Sequence, residues 1–295
     1  MNRNCIACKS KKFKILWHGK IRVERNKFSK KRHKILQCTN CQLVFLKKKT
    51  IKFEKNNKIF RQLYDGDNSI KKFIDFHKPR ERKKFYYFKK YLKFNNKDIL
   101  ESNCGYGILL ELLKKKVNST AGIDDEIYKT SLTKRGHKFF DSLDKIIKIK
   151  KKFDIIFSLS ELEHKSDPIL FISKIKKCLK LNGKLIIRIP NYNNIYKLII
   201  GKEFMKFDFR LSHNYYFSEK NLDIIFKKNK LKIVKKIGIQ EYSLNHLLTF
   251  FKKKERINEF SSIKYFNNQD NNFFKRNIEN QFYSTSLIYI LSNEK

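Results

Sequence analysis

The chain has 295 residues, enough for one large α/β domain with a small accessory one, and 41% hydrophobic residues suffice for a core. A formal net charge of +41 points at first to nucleic acid, yet only 12 of the 69 basic residues are Arg and the lysines run along the whole chain. Arg is the side chain suited to bidentate phosphate and guanine contacts, so a solvated lysine coat is expected and a nucleic-acid partner is not. Residues 1–8 show no apolar leader and no run of about 18 apolar residues occurs, so the expected location is cytoplasmic, with no membrane span.

Two knuckles, Cys5-x-x-Cys8 and Cys38-x-x-Cys41, flank a basic insert of 29 residues. Four thiolates in a reducing compartment form a closed tetrahedral set, so Cys5, Cys8, Cys38 and Cys41 are expected to hold a structural Zn2+. Residues 1–50 are read as this ribbon domain, with Gln42–Leu46 as a strand and His18 and His33 as surface residues. Residues 51–96 are read as a helical linker region in which Pro79 starts a helix. Its aromatics between Lys83 and Leu92 are assigned to packing, and Tyr64 and His77 are placed within reach of an acceptor pocket.

From residue 97 strands and helices alternate, which predicts a parallel sheet covered on both faces. The strands are Asp98–Glu101, Thr120–Asp124, His137–Phe140, Phe153–Leu159 and Lys184–Pro190. Helices are predicted over Gly105–Lys115, after the second strand through Lys134, and over Pro168–Leu181, the last closed by Asn182-Gly183 as a glycine cap. Ser218–Lys228 reads as a further helix with Ser218 as N-cap, and Leu231–Ile239 and Ser284–Leu291 supply two late strands. The boundaries drawn are 97–240 for the cofactor-binding domain and 241–295 for a C-terminal extension that supplies the last strand.

Cofactors on such sheets bind at the carboxyl ends of the strands. The first strand runs into Ser102-Asn-Cys-Gly-Tyr-Gly107, a turn in which Asn103 stands where a first glycine is usual. Asn is the non-glycine residue most tolerant of positive φ, so the turn can still form. Asp124, 17 positions after Gly107, can accept ribose hydroxyls, and Asp141 can accept an adenine amino group.

With these residues in view, positions 98–190 resemble a class I S-adenosylmethionine-dependent methyltransferase. The similarity lies in Phe153-Asp-Ile-Ile156, Leu162-Glu-His164, Asp167-Pro168, Leu179–Leu185 and Pro190-Asn191. With the cysteine ribbon before it and Gln240–Leu248 after it, the chain resembles a zinc-ribbon-bearing subgroup related to sugar C-methyltransferases. The resemblance implies an α/β, Rossmann-like seven-stranded sheet preceded by a small zinc-ribbon domain. It implies S-adenosylmethionine as cofactor, with Glu101, Asn103, Cys104, Gly105 and Gly107 near its methionine end and Asp124 on its ribose. It also implies a small-molecule acceptor, a nucleotide-linked sugar or polysaccharide precursor. His213 falls where that subgroup carries a base beside an acidic residue, although its neighbour here is Ser212; His164 is the second catalytic candidate. Two other readings stay open: a non-catalytic relative with a decayed cofactor site, and an RNA methyltransferase.

Overall fold

Residue by residue, the strands of the second half direct alternate side chains to opposite sides, and each side becomes a core. In the computed structural model, which describes residues 4–24, 27–49, 67–253 and 261–293, the amino-terminal segment forms β1 (Phe13–Gly19), β2 (Arg22–Glu24), β3 (Lys27–Phe28), β4 (His33–Cys38) and β5 (Val44–Leu46). Then come α1 (Asp67–Lys89), β6 (Asp98–Ser102), α2 (Ile108–Leu113), β7 (Ser119–Ile123), α3 (Lys129–Lys134), β8 (Lys138–Phe140), α4 (Leu143–Lys148), β9 (Phe153–Leu159), α5 (Pro168–Lys177) and β10 (Leu179–Pro190). The chain continues through α6 (Ile195–Ile200), α7 (Lys202–Asp208), β11 (Tyr215–Tyr216), α8 (Glu219–Lys228), β12 (Leu231–Ile239), α9 (Leu244–Lys253), α10 (Asn268–Asn280) and β13 (Ser286–Asn293). Tyr64 lies outside the described residues.

The large sheet has the order β12-β13-β10-β9-β6-β7-β8. β8, β7, β6, β9 and β10 run parallel, whereas β13 is antiparallel to both β10 and β12. Leu100, Ile156, Leu185, Ile187 and Tyr289 enter one core, and their neighbours Ile99, Ile155, Phe157, Ile186 and Ile288 enter the other. Each fully buried aliphatic side chain is worth about 1.5–3 kcal/mol over exposure. Both faces being apolar is the mark of a sheet covered on two sides.

Helix starts follow local chemistry. Asp167 Oδ1 accepts the N–H groups of Ile169 (3.1 Å) and Leu170 (3.0 Å), and Pro168 opens α5 with the fixed φ a first turn needs. At α8 the Asn221 side chain accepts the Ser218 N–H (3.0 Å) and donates to Ser218 Oγ (2.8 Å), a reciprocal cap.

Two expectations are corrected. Pro79 lies inside α1 and does not start it. Ile74 and Phe88, on either side of it, are buried in the same core, and that burial carries the helix through the proline. The helix at Pro168 ends at Lys177, and Asn182-Gly183 belong to β10. Leu179 already pairs with Phe153, and a bulge between Leu179 and Lys184 absorbs the intervening residues.

The amino-terminal strands form a second sheet, β1-β4-β5-β11. Its fourth strand comes from far along the chain: Tyr215 pairs with Phe45 and Tyr216 with Val44. Cys5, Cys38, Cys41, Leu43 and Phe45 join the same core as one face of the large sheet.

Candidate active site

β6 ends at Ser102, and the next five residues turn the chain into α2. Asn103 (φ 61°), Gly105 (φ 53°) and Gly107 (φ 65°) all adopt the left-handed conformation. A Cβ on Gly107 would sit 2.6 Å from Leu132 Cδ2, so the close helix packing there also demands glycine. The Gly105 N–H donates to Asp124 Oδ2 at 2.6 Å, and Asp124 Oδ1 takes the Asp125 N–H at 2.8 Å. The acid after the second parallel strand therefore braces the turn after the first.

Glu101 and Cys104 are buried, and Asn103 lines a cavity of about 540 Å3 that opens above the carboxyl ends of the strands. Asp141 lies on the surface, where its carboxylate accepts from Ser142 Oγ (2.8 Å) and Lys145 Nζ (3.2 Å). His77, half-buried on α1, packs its ring on Phe73 at 4.3 Å.

The segment after β9 and the loop before β11 also line the cavity. His164 Nδ1 lies 2.7 Å from the Ser212 carbonyl oxygen. A carbonyl can only accept, so Nδ1 carries a proton, and in the neutral ring the lone pair falls on Nε2. Asn214 clamps the same segment: its N–H donates to the Glu163 carbonyl (2.9 Å) and its Nδ2 to the His164 carbonyl (2.7 Å). The His164 and His213 rings stand 4.9 Å apart, edge to face. Burial, then the nearby Arg210, His164 and Arg22, hold the His213 pKa well below its ordinary 6.5. His213 is neutral at neutral pH.

Other residues of this wall carry no sequence signal strong enough to single them out. Glu161 is buried and bridges the ends of β6 and β9, accepting from Ser102 Oγ (3.0 Å) and Ser158 Oγ (2.8 Å) and pairing with Lys165 (2.9 Å). Arg188, near the end of β10, pairs with Glu241 and donates to Ser286 Oγ (2.9 Å). Tyr196 and His246 share a hydrogen bond of 2.6 Å, and Arg22 reaches the cavity from β2. Glu161 could have been sought as a strand-end acid in Ser158-Leu-Ser-Glu161. The rest converge only through the fold.

In the small sheet, Cys5, Cys8, Cys38 and Cys41 present four sulfurs all within 4.8 Å of one another, with Cys5–Cys41 and Cys8–Cys38 each at 3.5 Å. Tetrahedral thiolates around zinc stand about 3.8 Å apart, from a Zn–S length of about 2.3 Å. The four sulfurs fit that ion with small adjustments. His18 is exposed and His33 half-buried, neither within this cluster.

The sheet order, its single antiparallel insertion next to the edge strand and the glycine turn at its centre define the Rossmann-like methyltransferase fold. Residues 76–236, more than half of the chain, match the family described as a methyltransferase domain, and the chain belongs to it. It is an S-adenosylmethionine-dependent methyltransferase. The chain is 27% identical over 169 residues to a ubiquinone biosynthesis O-methyltransferase of Bartonella tribocorum, covering 52% of this chain and 68% of that protein. It is 31% identical over 88 residues to a malonyl-[acyl-carrier protein] O-methyltransferase of Calditerrivibrio nitroreducens, covering 30% of this chain and 36% of the relative. Among solved structures, a chain of the complex between the Haloferax volcanii Trm112 methyltransferase activator and the putative methyltransferase superposes with a TM-score of 0.50 at 12% identity, covering 79% of this chain and 100% of that one. That likeness speaks to the fold alone. Among the described residues, no helix is long and apolar enough to cross a membrane.

Proposed function

We propose that the protein moves a methyl group from S-adenosylmethionine to a hydroxyl oxygen of a small acceptor seated in the cavity between Asn103 and His213. The observation that carries this reading is the cavity itself. Asn103 of the glycine turn and the Glu163–His164–His213 group both line it, so donor and acceptor sides share one open cleft. S-adenosylmethionine supplies the electrophilic methyl group. The chain's part is to hold the two reactants in line and to manage the acceptor's proton.

Glu101, Asn103, Cys104, Gly105 and Gly107 are the residues assigned to the methionine end, Asp124 to the ribose and Asp141 to the adenine. The fit rests on the left-handed turn after β6, whose Asn103 lines the cavity, and on the strand-end carboxylate that braces it. His213 and His164 are the groups through which the acceptor loses its proton. Zn2+ in the four-cysteine site serves structure alone, because four thiolates leave no open position.

For the acceptor, the guanidinium groups of Arg22, Arg80 and Arg210 on the cavity wall favour a molecule with negative charge, in keeping with a nucleotide-linked sugar. A second reading, a phenolic acceptor, is favoured by the aromatic wall of Tyr196, Phe204, Tyr242 and Phe250 and by the relative named for ubiquinone biosynthesis. Incubation with labelled S-adenosylmethionine and a panel of nucleotide sugars and dihydroxyphenols separates them. Label in neither class overturns both acceptor assignments.

A further inference from the structure

Glu163 is buried at 2% exposure beside the cavity, and neither of its carboxylate oxygens has a hydrogen-bond partner. A carboxylate removed from water without partners costs several kcal/mol, so this position demands an explanation. Two imidazoles supply it. His164 offers a nitrogen 3.9 Å from Glu163 Oε1, and one donor atom from each of Glu163, His164 and His213 lies within 4.8 Å of the other two.

We propose that Glu163, His164 and His213 form a second metal site, distinct from the cysteine cluster, which binds a divalent first-row transition ion and keeps an open position toward the acceptor cavity. Three protein ligands of the type His, His, carboxylate are the usual set around an ion that retains water or substrate. The His164 tautomer is already the one required. Its Nδ1–H is spent on the Ser212 carbonyl, the outer hydrogen bond that metal-bound imidazoles usually make, and its Nε2 lone pair is left for the ion. All three residues line the cavity.

Ligand atoms around such an ion stand about 3.0–3.5 Å apart, from bond lengths of about 2.1 Å, so the three side chains close in by about 1 Å on binding. The nearby cations Arg22 and Arg210 disfavour an ion held by charge alone. Nitrogen donors therefore select zinc, iron, cobalt or nickel over magnesium, calcium or manganese. What the ion does rests on the methyl-transfer reading above: an acceptor hydroxyl bound at the open position gives up its proton to solvent more readily, and His213 and His164 then act on that proton as ligands of the ion, not as bases. The existence of the site rests on Glu163, His164 and His213 alone.

Cobalt titration of the full chain, without S-adenosylmethionine or acceptor, tests it. The expected result is two equivalents: one with intense thiolate-to-cobalt absorption from the cysteine cluster, and one with only weak visible bands. Glu163→Gln and His213→Ala should each remove the second equivalent and keep the first, with S-adenosylmethionine affinity within about twofold of the parent as proof of folding. One equivalent in the parent protein, or two in both variants, overturns the site. Because stoichiometry is read without turnover, a failed metal site and a failed methyl-transfer reading give different results.

Discussion

The Leu46 N–H donates to the Asn214 carbonyl oxygen at 3.0 Å, and this bond ties the cysteine-bearing sheet to the loop that carries His213. Asn214 in turn grips Glu163 and His164. On the other side of the same loop, the Arg22 N–H donates to the Phe209 carbonyl (2.9 Å) and the Leu211 N–H to the Arg22 carbonyl (2.8 Å). The small sheet thus braces the loop that carries His213, and Arg22 brings it to the cavity.

Stripping metal from the four-cysteine site should therefore damage the acceptor side first. Metal binding contributes much of the folding free energy of so small a unit. Chelation is expected to lower the melting temperature, and Cys38→Ser, which disables the four-cysteine site alone, to cut turnover at least tenfold, while S-adenosylmethionine affinity changes by less than about twofold in both, because the glycine turn lies on the other sheet. Calorimetric titration of chelated protein checks this; an equal loss on both sides would refute it.

His213→Ala should lower turnover by about 10²-fold or more, the usual scale for losing a group that manages a proton. S-adenosylmethionine binding should persist, since His213 lies outside the glycine turn. Unchanged turnover would remove His213 from the chemistry.

Asn103 holds φ 61° at the edge of the cavity. Asn103→Gly removes both the left-handed strain and a side chain from the donor end, and it should tighten S-adenosylmethionine severalfold. Asn103→Val should destabilise the fold by about 1–2 kcal/mol, since a branched residue resists this conformation. Titration and thermal melting read the two variants. A weaker complex with Asn103→Gly would mean that the Asn103 side chain touches the donor.

The base of the large sheet should give way in acid. The Asp98 carboxyl is held well below its ordinary 3.8 by the Ser119 hydroxyl (2.6 Å), against opposing burial, with help from Lys180 (3.0 Å). Burial also opposes ionisation of Asp154, yet Lys180 (2.7 Å) and the Asp98 N–H keep it lowered from 3.8. As pH falls below about 4, the unfolded chain takes up these protons before the folded one, so stability present above that pH is lost on descent. Asp98→Asn should cost on the order of 2 kcal/mol at pH 7, the scale of hydrogen bonds to a charged group. Urea midpoints of the two proteins should converge toward pH 2; a constant difference would rule Asp98 out as the acid-sensitive group.

Much of this protein is written in short-range pattern. Apolar runs alternating with helical segments were enough to predict the parallel sheet, because side-chain period and burial are local properties of a strand. The paired CxxC knuckles and the turn from Ser102 to Gly107 are equally local, each contained in a few residues of fixed spacing. The proline at 79 misled for the same reason. Its preference for a first helical turn is a local rule, and burial of Ile74 and Phe88 outweighs it.

What the tertiary structure alone decided is the cavity wall around His213. β11 has two residues, too few to show any period, and it exists because Tyr215 and Tyr216 find Phe45 and Val44 across the molecule. Glu163 and His164 meet His213, 49 positions later, through hydrogen bonds from Asn214 and to Ser212 that no spacing rule anticipates. Burial of Glu163 without a partner depends on every neighbour being in place. Local sequence specified the glycine turn, built on one strand and the five residues after it, whereas the cavity wall around His213 is assembled from segments that only folding brings together.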